Sequence, residues 1–95
     1  FLEKRIIPIE MLSSAFYLRL EAVDQPGVFA GLANAFADEA VSLDRIIQKR
    51  SVQGKAEIVL ITHVVEERSF NRALEKIKAF PAIERINSLF RVVES

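Results

Sequence analysis

Ninety-five residues are enough for one domain around one hydrophobic core. The chain is 51% hydrophobic and 27% charged, with 3 Gly and 3 Pro, which excludes a disordered tail, a collagen-like repeat and a low-complexity linker. Thirteen basic and 13 acidic side chains cancel, so no nucleic-acid partner is expected, because phosphate contacts need a surplus of Lys and Arg. The absence of cysteine excludes a disulfide scaffold and thiolate zinc sites, and fits a reducing, cytoplasmic setting.

No apolar run reaches the ~18–20 residues that cross a bilayer, so no membrane is expected either. Phe1-Leu2-Glu3-Lys4-Arg5 has neither an initiator Met nor the order of a signal peptide. The chain is therefore expected to be cut from something longer. Residues 1–15 read as a connector. Within it Ile6-Ile7-Pro8-Ile9 is apolar and extended, since Pro8 fixes its own φ and pushes Ile7 out of the helical region. Ser13-Ser14 breaks that pattern.

Phe16 to Val23 alternates as a strand, with Leu18, Leu20 and Ala22 on one side and Tyr17, Arg19 and Glu21 on the other. Asp24-Gln25-Pro26-Gly27 is a sharp turn. A helix follows to about Ala40, with Val28, Phe29, Leu32, Phe36 and Ala40 on one stripe. Gly31 inside it costs up to ~1 kcal/mol against Ala, through tolerance or because another group approaches closely. Leu43 to Arg50 and Lys55 to Val64 are strands joined by a tight hairpin at Gln53-Gly54. Ile58-Val59-Leu60-Ile61 is apolar on both parities and suits a central strand, whereas Arg45, Lys49 and Arg50 suit an edge. A second helix runs from about Glu67 to Phe80, with Phe70, Ala73, Leu74, Ile77 and Phe80 on its apolar stripe, and Pro81 stops it. Ile83 to Val93 is the fourth strand, with Ile86, Phe90 and Val92 on one parity.

The order β-α-β-β-α-β predicts an α+β fold, the ferredoxin-like sandwich: a four-stranded antiparallel sheet with both helices on one face. Strands one and three are then central, two and four edges. The other face is bare, yet Tyr17, Val23, Val59, Ile61 and Leu89 are expected to point toward it. An apolar patch of that kind marks self-association or packing against the rest of a longer chain.

The turn before the first helix carries the strongest chemical signal. Gly27 permits backbone geometry closed to other residues. The helix start beyond it offers unpaired N–H groups and a partial positive charge, which hold a carboxylate or phosphate. Asp24 can cap the helix or meet an ammonium group. Acceptor beside donors is the pairing a free amino acid requires; an ordinary capped turn is the plainer alternative.

Asp24-Gln25-Pro26-Gly27-Val28-Phe29 after a strand, in a chain of this element order, resembles an ACT domain, covering about residues 16–93 and assigned here as 16–95. Tyr17-Leu18-Arg19-Leu20 leading into that turn, then Ile46-Ile47-Gln48 and Ile61-Thr62-His63, resemble the C-terminal regulatory ACT domains of bacterial homoserine dehydrogenases. The lead-in Ile6–Ile9 resembles the connector from their catalytic part. The resemblance implies a homodimer formed side by side through strand two and helix one. It implies an effector amino acid at that junction, held by Asp24, Gln25, Gly27 and Val28 of one copy and by Ser42 and Leu43 of its neighbour. Asp24 and Ser42 stand where many ligand-binding ACT domains have Asn. The implied effector is threonine, acting as feedback inhibitor. Some ACT domains bind nothing and only hold subunits together. Any NAD(P) site of such a dehydrogenase would lie in a catalytic region absent from this chain.

No cofactor, metal or catalytic residue is expected here. His63 is the one histidine and lacks partners for a metal cluster. Ser13, Ser14 and Ser51 have no base at a recognisable spacing. Neither GxGxxG nor GxxxxGK[ST] occurs. An RNA-recognition motif would need aromatic residues on strands one and three; only Tyr17 qualifies. An acylphosphatase-type enzyme would need Arg in the turn, which carries Asp24 instead.

Overall fold

Alternation of apolar and polar side chains from Phe16 to Val23 places this segment at the middle of a sheet, where one face is buried and the other is not. The structure, a computed structural model, describes residues 12–92; the predicted lead-in Ile6–Ile9 and Val93 lie outside them. The elements are β1 (Ser13–Val23), α1 (Val28–Asp38), β2 (Leu43–Val52), β3 (Lys55–Thr62), β4 (Val65–Glu66), α2 (Glu67–Lys78) and β5 (Ile83–Val92). All strand pairs are antiparallel: β1 lies between β3 and β5, and β2 pairs with the far side of β3. The ferredoxin-like arrangement is therefore present, with β1 and β3 central and β2 and β5 at the edges.

The sheet has five strands rather than four. β1 begins at Ser13, three residues before the predicted start, and Ser13 and Ser14 pair with Glu66 and Val65 of β4. The reading of Ser13-Ser14 as a break fails because the partner follows β3 after two residues, and a two-residue strand leaves no periodic trace. Gln53 and Gly54 both have positive φ, +57° and +75°, the geometry of a two-residue hairpin between β2 and β3.

Leu18, Leu20 and Ala22 are fully buried under the helices, together with Leu32, Phe36, Phe70, Ala73 and Ile77. Phe16 and Phe70 stack at 3.9 Å between ring centroids, with Phe36 6.2 Å from Phe70. The α1 stripe departs from its prediction: Ala35 is buried, whereas Phe29 is 41% exposed. α1 also ends earlier than Ala40. Val41 N–H donates to the Phe36 carbonyl and Ala40 N–H to the Ala37 carbonyl, with Ala40 at φ +59°. This is a Schellman stop built on Ala instead of Gly.

β5 changes face twice. Its register with β1 slips past Glu84 and again past Asn87, so Ile86 opposes Leu20 while Leu89 opposes Leu18. Each one-residue bulge inverts the side-chain parity. Leu89 thus lies on the helix face, against expectation, and Phe90 joins Tyr17 on the open face at 6.0 Å.

Candidate functional site

The strand-to-helix turn is anchored by backbone bonds from two directions. Val23 N–H donates to the Ala82 carbonyl and Asp24 N–H to the Gly54 carbonyl, both at 2.8 Å, which fixes the end of β1. The chain then reverses through Gly27, whose φ of +89° is closed to most side chains. Gly27 is the N-cap of α1, and no side chain caps the helix. Asp24 is therefore not the cap. Its Oδ1 instead accepts a long hydrogen bond, 3.5 Å, from Gln48 Nε2 on β2.

Asp24, Gln25, Gly27 and Val28 line one cavity of about 350 Å³, closed by Phe29, Gln48 and the β3 residues Ala56 and Ile58. That volume lies in the range of small-molecule sites. Asp24 is the one ionisable residue in the lining. The cavity therefore offers a carboxylate, two primary amides (Gln25 and Gln48) and a helix start without a side-chain cap, whose partial positive charge favours an anion; its first N–H, on Val28, makes a long 3.4 Å bond to the Gln25 carbonyl. Gln48 was not among the predicted site residues. Its register opposite Ile58 brings it to the turn, and only the β2–β3 pairing reveals that.

Ser42 and Leu43 are not in this cavity. They line a separate groove with Ala33, Ala37, Ala40 and Val41, between the end of α1 and the start of β2. Within one chain the six predicted positions thus form two groups. On the far side of the turn, Gly27, Val28 and Gly31 face Phe80 and Pro81 across a hollow of about 390 Å³. A Cβ at Gly31 would stand 3.4 Å from the Phe80 ring, so the glycine admits close approach of that ring.

Away from the turn, Glu67 is buried at the start of α2, and Arg91 donates to both its oxygens at 2.7 and 2.9 Å. These bonds hold the Glu67 carboxyl below its ordinary value, against the opposing effect of burial, with Ser14 adding to the lowering. Glu67 N–H also donates to the Leu12 carbonyl. At the other end of the helices Lys76 lies 2.8 Å from Glu39 and holds that carboxyl low as well. His63 sits exposed after β3, 3.7 Å from Asp44. Among the described residues no group of His, Cys, Asp and Glu has the geometry of a metal site, and no helix is long and apolar enough to cross a membrane.

Known proteins resemble this chain in sequence and fold. A homoserine dehydrogenase from Methylobacillus glycogenes is 45% identical over 80 residues, covering 82% of this chain and 19% of that protein. One from Synechocystis sp. is 39% identical over 89 residues, covering 94% and 21%. The crystal structure of a homoserine dehydrogenase from Thiobacillus denitrificans superposes with a TM-score of 0.80 at 34% identity, covering 96% of this chain and 20% of that one. The chain spans about a fifth of the length of these relatives. The ACT-domain family model matches residues 16–82, which take in the glycine turn, both helices and the first four strands. The chain, with its uncapped helix behind Gly27 and its ferredoxin-like sheet, belongs to the ACT-domain family.

Proposed function

We propose that this chain is the regulatory domain of a homoserine dehydrogenase, that it binds threonine as a feedback inhibitor, and that it joins subunits through β2 and α1. The observation that carries the reading is the cavity at the turn, where Asp24 stands beside the uncapped amides of α1. Asp24 orients the ammonium group. The N–H groups near Gly27 and Val28 hold the carboxylate, and Gln48 is within reach of either. Ser42 and Leu43 of a second copy complete the site, which accounts for their separation within one chain. Only the difference in affinity between two arrangements of the enzyme regulates it, typically ~1–3 kcal/mol. The NAD(P) chemistry belongs to the remaining four-fifths of such an enzyme, and the setting is cytoplasmic.

Titration calorimetry with threonine tests the site. Binding in the millimolar-to-micromolar range corresponds to ~4–8 kcal/mol. Asp24→Ala should lose most of the heat; equal heats from both proteins remove Asp24 from the site. A second reading, a ligand-free association module, draws on the apolar outer face of α1, where Phe29, Ala30 and Ala37 are exposed. Thermal melting across an amino-acid panel separates the two, because a native-state ligand raises Tm and a flat panel favours association alone.

A further inference from the structure

Residues opposite one another in a sheet share a face. Away from the helices, one row across β2, β3, β1 and β5 reads Arg45, Ile61, Tyr17, Phe90. The next reads Ile47, Val59, Arg19, Ser88, and the third Lys49, Glu57, Glu21, Arg85. The third row is internally paired: Lys49 lies 3.4 Å from Glu57 and Arg85 3.5 Å from Glu21. Arg19 shares Glu57 at 3.8 Å, and its Nε is buried without a hydrogen-bond partner. Among the described residues Arg45 has no carboxylate within 4 Å. The first two rows thus hold five apolar or aromatic side chains, of which Val59 is buried within the chain while Phe90 is 60% and Ile47 42% exposed, and the face carries four cations against two carboxylates.

We infer that this open face is a docking surface for another region of the same longer polypeptide, apolar at its centre and bearing carboxylates opposite Arg45 and Arg19. Two arguments select that occupant. A second copy would set one cationic surplus against another, and like charges across an interface cost several kcal/mol. The relatives are about five times as long as this chain, so they contain ample protein surface to cover it. An apolar centre with a charged rim is the composition of a protein interface. The inference rests on reading this chain as one module of a longer enzyme.

The chain has no cysteine, so Ser88→Cys places a single reporter thiol on the open face without removing an apolar anchor. Alkylation at position 88, read by mass spectrometry, is compared in the 95-residue chain and in the full polypeptide. Labelling of the short chain should not depend on its concentration. In the full polypeptide it should slow by about tenfold or more, as for a face covered some nine-tenths of the time. Phe90→Glu, on the opposite edge from β2, should restore the fast rate there while leaving the threonine heat of the short chain unchanged. Equal rates in the two proteins overturn the inference, and slowing that grows with concentration of the short chain makes the occupant a second copy. A protected face in a polypeptide that shows no threonine heat would sink the effector reading alone.

Discussion

The two helices cover the same sheet face and differ by one residue in length, yet they are built from opposite materials. α2 carries six charged side chains in ERSFNRALEKIK, and every apolar residue on it is buried. Glu67 opens it and Lys76 and Lys78 close it, as the helix dipole favours. α1 carries one charge, Asp38, at its last position, and has no acidic residue in its first turn and no basic one in its last. Its exposed residues are Phe29, Ala30, Asn34, Ala37 and Asp38, three of them apolar. An outer face so poor in charge is suited to cover. α2 is complete within one chain; α1 leaves Phe29, Ala30 and Ala37 exposed near the edge strand β2, the face proposed above for association. The difference separates the helix that holds the fold from the one that the proposed function assigns to assembly and ligand.

If α2 holds the fold, damage beneath it should be the most severe. Phe70 is fully buried between Phe16 and Phe36. Phe70→Ala should cost ~4 kcal/mol, the usual toll of deleting a buried aromatic ring, and a shift of the urea midpoint measures it. A loss below about 1 kcal/mol would place the main core elsewhere.

Glu67 comes next. Glu67→Ala removes two charge-assisted hydrogen bonds from a buried carboxylate, and should cost ~2 kcal/mol, because Arg91 is half exposed and regains water. The pH dependence has a definite sign. The folded carboxyl titrates below 4.5, so in acid the unfolded chain takes up the proton first. The pair's contribution is complete above pH ~4.5 and disappears as the pH falls through the folded value. Denaturant melts of wild type and Glu67→Gln should therefore converge in acid and stand furthest apart near neutrality.

The same contrast governs what could be read without coordinates. α2, β1 and the β2–β3 hairpin were legible because local pattern and tertiary role agree: charged outside, apolar inside, positive φ at Gln53-Gly54. The ferredoxin-like order followed from them. The errors fall where a distant partner decides. Ser13 and Ser14 are strand because β4 returns to them. Leu89 and Phe90 exchange faces because the bulge at Asn87 intervenes between them and Ile86. Phe29 stays exposed because it walls the turn cavity. In the candidate site the glycine turn was visible, but Gln48 reaches it only through strand pairing, and Asp24 meets Gln48 instead of capping the helix.

The stop of α1 offers a smaller test. Ala40 holds a left-handed φ that Gly adopts without strain. Ala40→Gly should stabilise the chain by ~0.5–1 kcal/mol, offset in part by the extra freedom of Gly in the unfolded state. The same substitution removes a methyl group from the groove beside Ser42 and Leu43. A variant that is more stable yet associates less would show that the strained turn serves assembly.

The smallest change in stability sharpens the comparison most. Ala37 is exposed on α1 and lines the groove to β2. Ala37→Lys touches no buried contact, so at low concentration its Tm should match wild type within the ~0.5 kcal/mol typical of surface changes. Association makes Tm rise with protein concentration, since the assembled form exists only in the native state. Wild type should show that rise and Ala37→Lys should not, because a lysine on each copy brings two ammonium groups together at a small-residue contact. Arg72→Ala on the outer face of α2 is the control and should leave the rise intact. If both variants keep it, the bare side of α1 is not where copies meet, and its apolar composition needs another partner.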